Sequence, residues 1–178
     1  MTSVSVSYGN ETLQTYFSYA NTTGHGIIGK HNLSKHNLTF RETSVLLNSR
    51  LKLDGSMNLM RQVVKNKPTV GGFYMNPLVG LYRFPRGEDI AYYKENFEVY
   101  DEGRNLNIQN WHTSYEDFEQ NPYWITNRIL SKENRMHVIV SLSANLKIND
   151  WLSLQARGNV DYINDKVRQQ FYASTAPA

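Results

Sequence analysis

Between Met136 and Ile148 the chain alternates. Met136, Val138, Val140, Leu142, Ala144, Leu146 and Ile148 share one parity, and His137, Ser141, Ser143, Asn145 and Lys147 share the other, with Ile139 the apolar exception. After Asn149-Asp150 the pattern resumes, with Leu152, Leu154, Ala156, Gly158, Val160 and Tyr162 set against Ser153, Gln155, Arg157, Asn159 and Asp161. A period of two sends successive side chains to opposite faces of an extended chain. The stretch therefore predicts a β-hairpin with one apolar and one polar face.

The same pattern occurs twice earlier. Val4, Val6 and Tyr8 alternate with serines, a turn falls at Gly9-Asn10-Glu11-Thr12, and Leu13, Thr15, Phe17 and Tyr19 follow. Leu51, Leu53, Gly55, Met57 and Leu59 oppose Lys52, Asp54, Ser56 and Asn58 across the turn at Asn48-Ser49-Arg50. In the preceding strand Leu38 and Phe40 share parity with Glu42 and Ser44, which predicts a bulge or a shorter apolar row there. The strands expected are residues 2–9, 13–22, 36–47, 51–64, 135–148 and 151–164, with a long loop over residues 65–134.

Connection lengths sharpen this reading. Short turns near Asn10, Ser49 and Asn149 alternate with long connections over residues 21–36 and 65–134. In an up-and-down meander, alternate turns lie at one end, so one end is trimmed and the other elaborated. Outer-membrane barrels have this asymmetry. The later strands also exceed the usual globular length of about 5–6 residues and reach the roughly 9–11 of a tilted membrane strand. The expected fold is all-β, an antiparallel meander of about six strands forming part of a large transmembrane barrel. Bacterial barrels of one chain start at about 8 strands, so the edges near Val4 and Val160 should stay unpaired.

Composition narrows the classes. Of the 178 residues, 40% are hydrophobic and 20% charged, which argues against wholesale disorder. The net charge of +3 is modest and its Lys and Arg are scattered, so no nucleic-acid partner is expected. The absence of cysteine removes disulfides and thiolate metal sites. No run approaches the roughly 18 apolar residues of a membrane helix, whereas barrel strands escape that test. Residues 1–5 lack the basic and apolar regions of a secretory signal.

Candidate chemistry is thin. His25, His31 and His36 fall in one expected loop but match no zinc spacing, and Glu116, Asp117 and Glu119 lack the EF-hand spacing. The segment from Gly24 to Lys30 is glycine-rich, yet it lacks the Gly-Lys-Ser/Thr ending of a phosphate loop. No serine–histidine–acid arrangement stands out. No catalytic residue, metal or cofactor is assigned, and the chain is not read as an enzyme.

Residues 65–134 are rich in Tyr, Asn, Pro and Gly, and the pieces at residues 76–82 and 89–97 read as short helices. The aromatic content, including Phe73, Tyr74, Trp111, Tyr115, Phe118, Tyr123 and Trp124, points to an ordered loop.

Asn121-Pro122-Tyr123-Trp124, then Asn127-Arg128 and a strand from Arg135, resemble a motif of the SusC/RagA family of TonB-dependent outer-membrane transporters. Asp150-Trp151-Leu152-Ser153-Leu154 and Gly158-Asn159-Val160-Asp161-Tyr162 add to the match, as do residues 3–9 and 16–26. The resemblance spans essentially the whole chain. It implies a parent with a signal sequence, a plug with a TonB box and a barrel of about 22 strands. It also implies a SusD-type lipoprotein partner, TonB as energy source, the cell outer membrane as location, and import of oligosaccharides or peptides. The chain is expected to be an internal piece of such a barrel, without the plug, and the long loop is expected to be extracellular.

On that reading Val138, Val140, Leu142, Leu146, Leu152 and Leu154 face lipid, and Tyr8, Tyr19, Trp151 and Tyr162 are candidate interfacial aromatics. Trp111, Tyr123 and Trp124 are candidate anchors for a ligand or partner. The alternative for Tyr123 and Trp124 is that they pin the loop. Two further function classes stay open: a soluble β-sandwich binding carbohydrate, and a truncated reading frame without its own function.

Overall fold

The structure, a computed structural model, describes residues 1–71, 74–113 and 119–175. Six long strands, β1 (Thr2–Gly9), β2 (Leu13–His25), β3 (Asn32–Leu46), β4 (Leu51–Lys65), β7 (Ile129–Lys147) and β8 (Ser153–Phe171), form one sheet in the order β1-β2-β3-β4-β7-β8. The expected antiparallel meander is present, and β1 and β8 stand at its two ends, so the sheet does not close. The segment between β4 and β7 holds α1 (Pro77–Arg83), α2 (Ile90–Glu95), a two-stranded sheet of β5 (Glu98–Asp101) and β6 (Leu106–Gln109), and α3 (Pro122–Arg128). No helix among the described residues is long and apolar enough to cross a membrane.

The chain divides into two compact units. The first comprises Met1–Gly24, Leu33–Val63 and Glu133–Lys166, and the second comprises His25–Asn32, Val64–Lys132 and Val167–Ala178.

In the first unit, β1 and β2 pair with Val4 opposite Tyr19, Val6 opposite Phe17 and Tyr8 opposite Thr15. Directly paired residues share a face, so the two apolar rows merge into one surface. Asparagine shapes two of the three short turns. Asn10 Oδ1 accepts from the Thr12 and Leu13 amides at 2.9 and 2.8 Å, and Asn149 Oδ1 accepts from those of Trp151 and Leu152 at 3.2 and 2.8 Å. Such side-chain bonds to the chain two and three residues on favour turn over continued strand. The turn between β3 and β4 instead places Leu47, Asn48 and Ser49 in succession at φ of 53°, 51° and 66°. The amide of Val45 donates to Thr12 O and that of Lys147 to Arg50 O, so the three short turns are neighbours at one end of the sheet.

The strands outrun the boundaries expected from apolar alternation. β2 continues through Asn21-Thr22-Thr23 and β3 starts at Asn32, which shrinks the expected connection over residues 21–36 to residues 26–31. β7 starts directly after α3, and β8 runs on past Asn164 to Phe171. Ladder pairing satisfies backbone groups whatever the side chains are, so polar stretches extend a strand whose neighbour also extends. β3 runs as one strand from Asn32 to Leu46.

The second unit holds the described core. Trp111, Trp124 and Ile125 are its buried apolar side chains, with Glu119, Gln120 and Asn121 buried beside them. No described residue of the first unit is buried.

Candidate functional site

The six-stranded sheet has two chemically distinct faces. One carries Val4, Val6, Tyr8, Phe17, Val140, Leu142, Leu154, Val160 and Tyr162, all exposed by 40% or more. Val138 and Leu146 lie in the same row half-buried, and Leu152 is exposed in the turn that leads into β8. All six residues expected to face lipid thus belong to this apolar series. A Cβ placed on Gly55 would meet Leu142 Cδ1 at 3.9 Å, which fixes the odd parity of β4 and the even parity of β7 on one side.

The candidate interfacial aromatics differ in position. Tyr8 lies beside the turn at residues 10–12, and Trp151 lies in the turn between β7 and β8; both are 81% exposed. Tyr19 and Tyr162 lie further along β2 and β8, away from those turns. Tyr19 ends its apolar row in a polar group: its hydroxyl is 2.7 Å from His36 Nδ1, with Asn21 Nδ2 at 3.1 Å and Ser34 Oγ 3.2 Å from Nε2. His36 is therefore a strand residue, and His25 ends β2, so the three histidines expected in one loop are separated. No group of three metal-ligating side chains occurs among the described residues.

The other face is polar and partly ion-paired. Arg135 holds both carboxylate oxygens of Asp165 at 2.7 Å, and His137 Nε2 is 2.6 Å from Asp161. Thr43 donates to Asp54 at 2.7 Å, and Asn58 donates to Thr39 at 2.9 Å.

In the second unit the Asn121-Pro122-Tyr123-Trp124 motif forms the start of α3. Asn121 is fully buried, and its Oδ1 accepts from the Tyr123 amide at 2.8 Å as an N-cap. Its Nδ2 donates to Tyr93 O at 3.0 Å and to Asn110 O at 2.7 Å, which joins α2 and the chain after β6 to α3. Pro122 occupies the first turn, where a missing N–H costs nothing. The expected helices at residues 76–82 and 89–97 are α1 and α2, capped by Asn76 and Asp89.

This packing sets the role of the candidate anchors. Trp124 is fully buried, donates from Nε1 to Thr175 Oγ1 at 3.1 Å and meets Tyr172 edge-on at 5.8 Å. Trp111 is 8% exposed and packs on Phe84 and Tyr93. Neither offers a free ring face, so both tryptophans hold the unit together rather than meet a ligand. Tyr123 is half-buried. Among the described residues, Tyr82, Tyr92 and Tyr100 are the most exposed rings of this unit, and the alternation and motif reading did not single them out. Glu119 is buried, with Oε1 2.8 Å from His112 Nε2 and Oε2 3.4 Å from Arg83 Nε. Phe73, Tyr115, Glu116, Asp117 and Phe118 lie outside the described residues.

These features define a two-faced antiparallel β-meander with three short helices and a two-stranded sheet between its fourth and fifth long strands. Neither a family model nor a curated protein matches the chain.

Proposed function

We propose that this chain is a wall segment of a transmembrane β-barrel in an outer-membrane active transporter of the SusC/RagA type. Such a parent imports oligosaccharides or peptides, driven through TonB and assisted by a SusD-type lipoprotein. One observation carries the reading: six strands of up to 19 residues form a sheet whose unit buries none of its described side chains. A soluble monomer rarely exposes more than a few hundred Å² of contiguous apolar surface. In lipid the same surface is solvated by hydrocarbon.

The dimensions agree. From Met136 to Leu146 the apolar row covers ten residue steps, about 33 Å of strand, and a tilt near 40° reduces this to about 25 Å, the height of the outward apolar band of such barrels. Tyr8 and Trp151 at the turn end supply aromatics for one interface, and Tyr19 and Tyr162 close the apolar rows of β2 and β8 further along. A β-sandwich reading would need a second sheet of similar size facing the first, and the other sheet described has two strands of four residues each.

The chain has no native cysteine, so single cysteines at Leu142 and Ser143 place a fluorophore on either face. After reconstitution into vesicles, brominated lipid should quench the label at position 142 and spare that at 143. Equal quenching at both positions, or a monodisperse and cooperatively melting monomer without detergent, would refute the proposal.

A further inference from the structure

We infer that the polar face of the six-stranded sheet carries a binding groove for a carboxylated oligosaccharide, with Arg41 and Arg157 holding the carboxylates. The inference rests on the reading of this face as the one turned away from lipid.

The first observation is a pair of arginines without partners. Asp54 already accepts from Thr43 and lies 3.8 Å from Lys52, Asp161 is taken by His137, and Asp165 by Arg135. Arg41 and Arg157 have neither a hydrogen bond nor an ion pair among the described residues. Guanidinium stays protonated at any physiological pH, so this face presents two cations that no neighbouring side chain pairs directly.

The second observation is the shape between them. A hollow of about 550 Å³ crosses β3, β4, β7 and β8, with Arg41 on one side, Arg157 and Asn159 on the other, and Asp54, Ser56 and Ser141 between; the Asp54 carboxylate is held by Thr43 and leaves the two ends of the hollow to the arginines. An adjoining hollow of about 540 Å³ shares Arg41 and Ser56 and adds Tyr16. Binding sites for small molecules fall within about 300–1,000 Å³. Three inter-strand steps separate β3 from β8, about 14 Å at the backbone, which exceeds one sugar ring and suits a short chain of them.

Chemistry selects the ligand. Each guanidinium can grip a carboxylate through two parallel N–H donors. The hydroxyls of Ser56 and Ser141 and the Asn159 amide both donate and accept, as sugar hydroxyls do. The Tyr16 ring, 37% exposed, offers an apolar platform beside Arg41 for the C–H face of a pyranose. An acidic peptide would use the two arginines but has less need of that platform or of a row of hydroxyls.

The chain refolded into detergent micelles, with β content verified by circular dichroism, should be titrated with trigalacturonate, with its neutral galactose counterpart, and with a glutamate peptide of equal charge. Trigalacturonate should bind at least about tenfold more tightly than the neutral trimer, and Arg41→Gln and Arg157→Gln should each weaken it by roughly tenfold. Tyr16→Ala should weaken both sugars and leave the peptide unchanged. Equal affinity for charged and neutral trimers, indifference to both arginine substitutions, or tighter binding of the peptide would overturn the inference while leaving the membrane reading intact. Failure to form β structure in micelles would overturn both.

Discussion

Arg128 closes a two-pronged ion pair on Glu98, with Nε 2.7 Å from one carboxylate oxygen and Nη2 2.6 Å from the other. The pair links the end of α3 to the start of β5, and the guanidinium also lies 4.6 Å from the ring centre of Tyr172. The Glu98 hydrogen bonds push the Arg128 pKa further above its already high value, and partial burial opposes this less strongly. Lysine cannot reproduce the fork or the stacking. Arg128→Lys and Glu98→Gln should each destabilise the second unit by about 1.5–3 kcal/mol. Chemical unfolding followed by tryptophan emission would measure this, and the double variant should lose less than the sum of the two.

Asn121 offers a stricter test of the motif that carries the family resemblance. Its amide nitrogen donates to two carbonyl oxygens, so Asn121→Asp would turn a carboxylate oxygen toward them in a buried place. A loss of about 3 kcal/mol or more is expected, since the buried group becomes both charged and unpaired. Asn121→Ala should cost less, because it leaves the carbonyls unsatisfied without repelling them. Equal losses for the two variants would show that the hydrogen bonds are not what holds this corner.

Gly80 packs α1 against the start of α3. A Cβ there would sit 2.6 Å from the backbone oxygen of Gln120 and 3.3 Å from Pro122 Cδ. Alanine is ordinarily the better helix former, yet here Gly80→Ala should destabilise by about 1–3 kcal/mol through overpacking. Gly87 has no atom near its Cβ position, so Gly87→Ala serves as the control and should be close to neutral in the same melt.

The two faces of β7 predict opposite tolerance of charge. In a lipid bilayer, Val140→Arg should cost about 2–4 kcal/mol, the penalty for a cation near the middle of a barrel's outer face. Asn145→Arg, on the polar parity of the same strand, should cost a small fraction of that. Reversible unfolding from vesicles by guanidinium would compare them. Similar penalties at both positions would mean that neither face meets hydrocarbon.

The sequence by itself determined the elements that depend on neighbours along the chain. Alternation at residues 136–148 and 152–162 set the faces of β7 and β8, and Asn10 and Asn149 shape the β1–β2 and β7–β8 turns through bonds to amides two and three residues away. The helices α1 and α2 announced themselves through Asn76 and Asp89, whose side chains cap them locally. Tertiary structure alone decided the rest. The extra length of β2, β3 and β8 comes from ladder pairing with neighbouring strands, and an alternation test reads no such pairing through Asn21-Thr22-Thr23. Composition leaves Trp111 readable as an anchor for a ligand and Trp124 as either an anchor or a pin of the loop, and both become core because α1, α2, Tyr172 and Thr175 converge on them. Arg41 and Arg157 are ordinary polar-parity residues until four strands align to set them across one hollow. Parity is a property of one strand, whereas burial and charge pairing belong to the neighbours that the fold brings together.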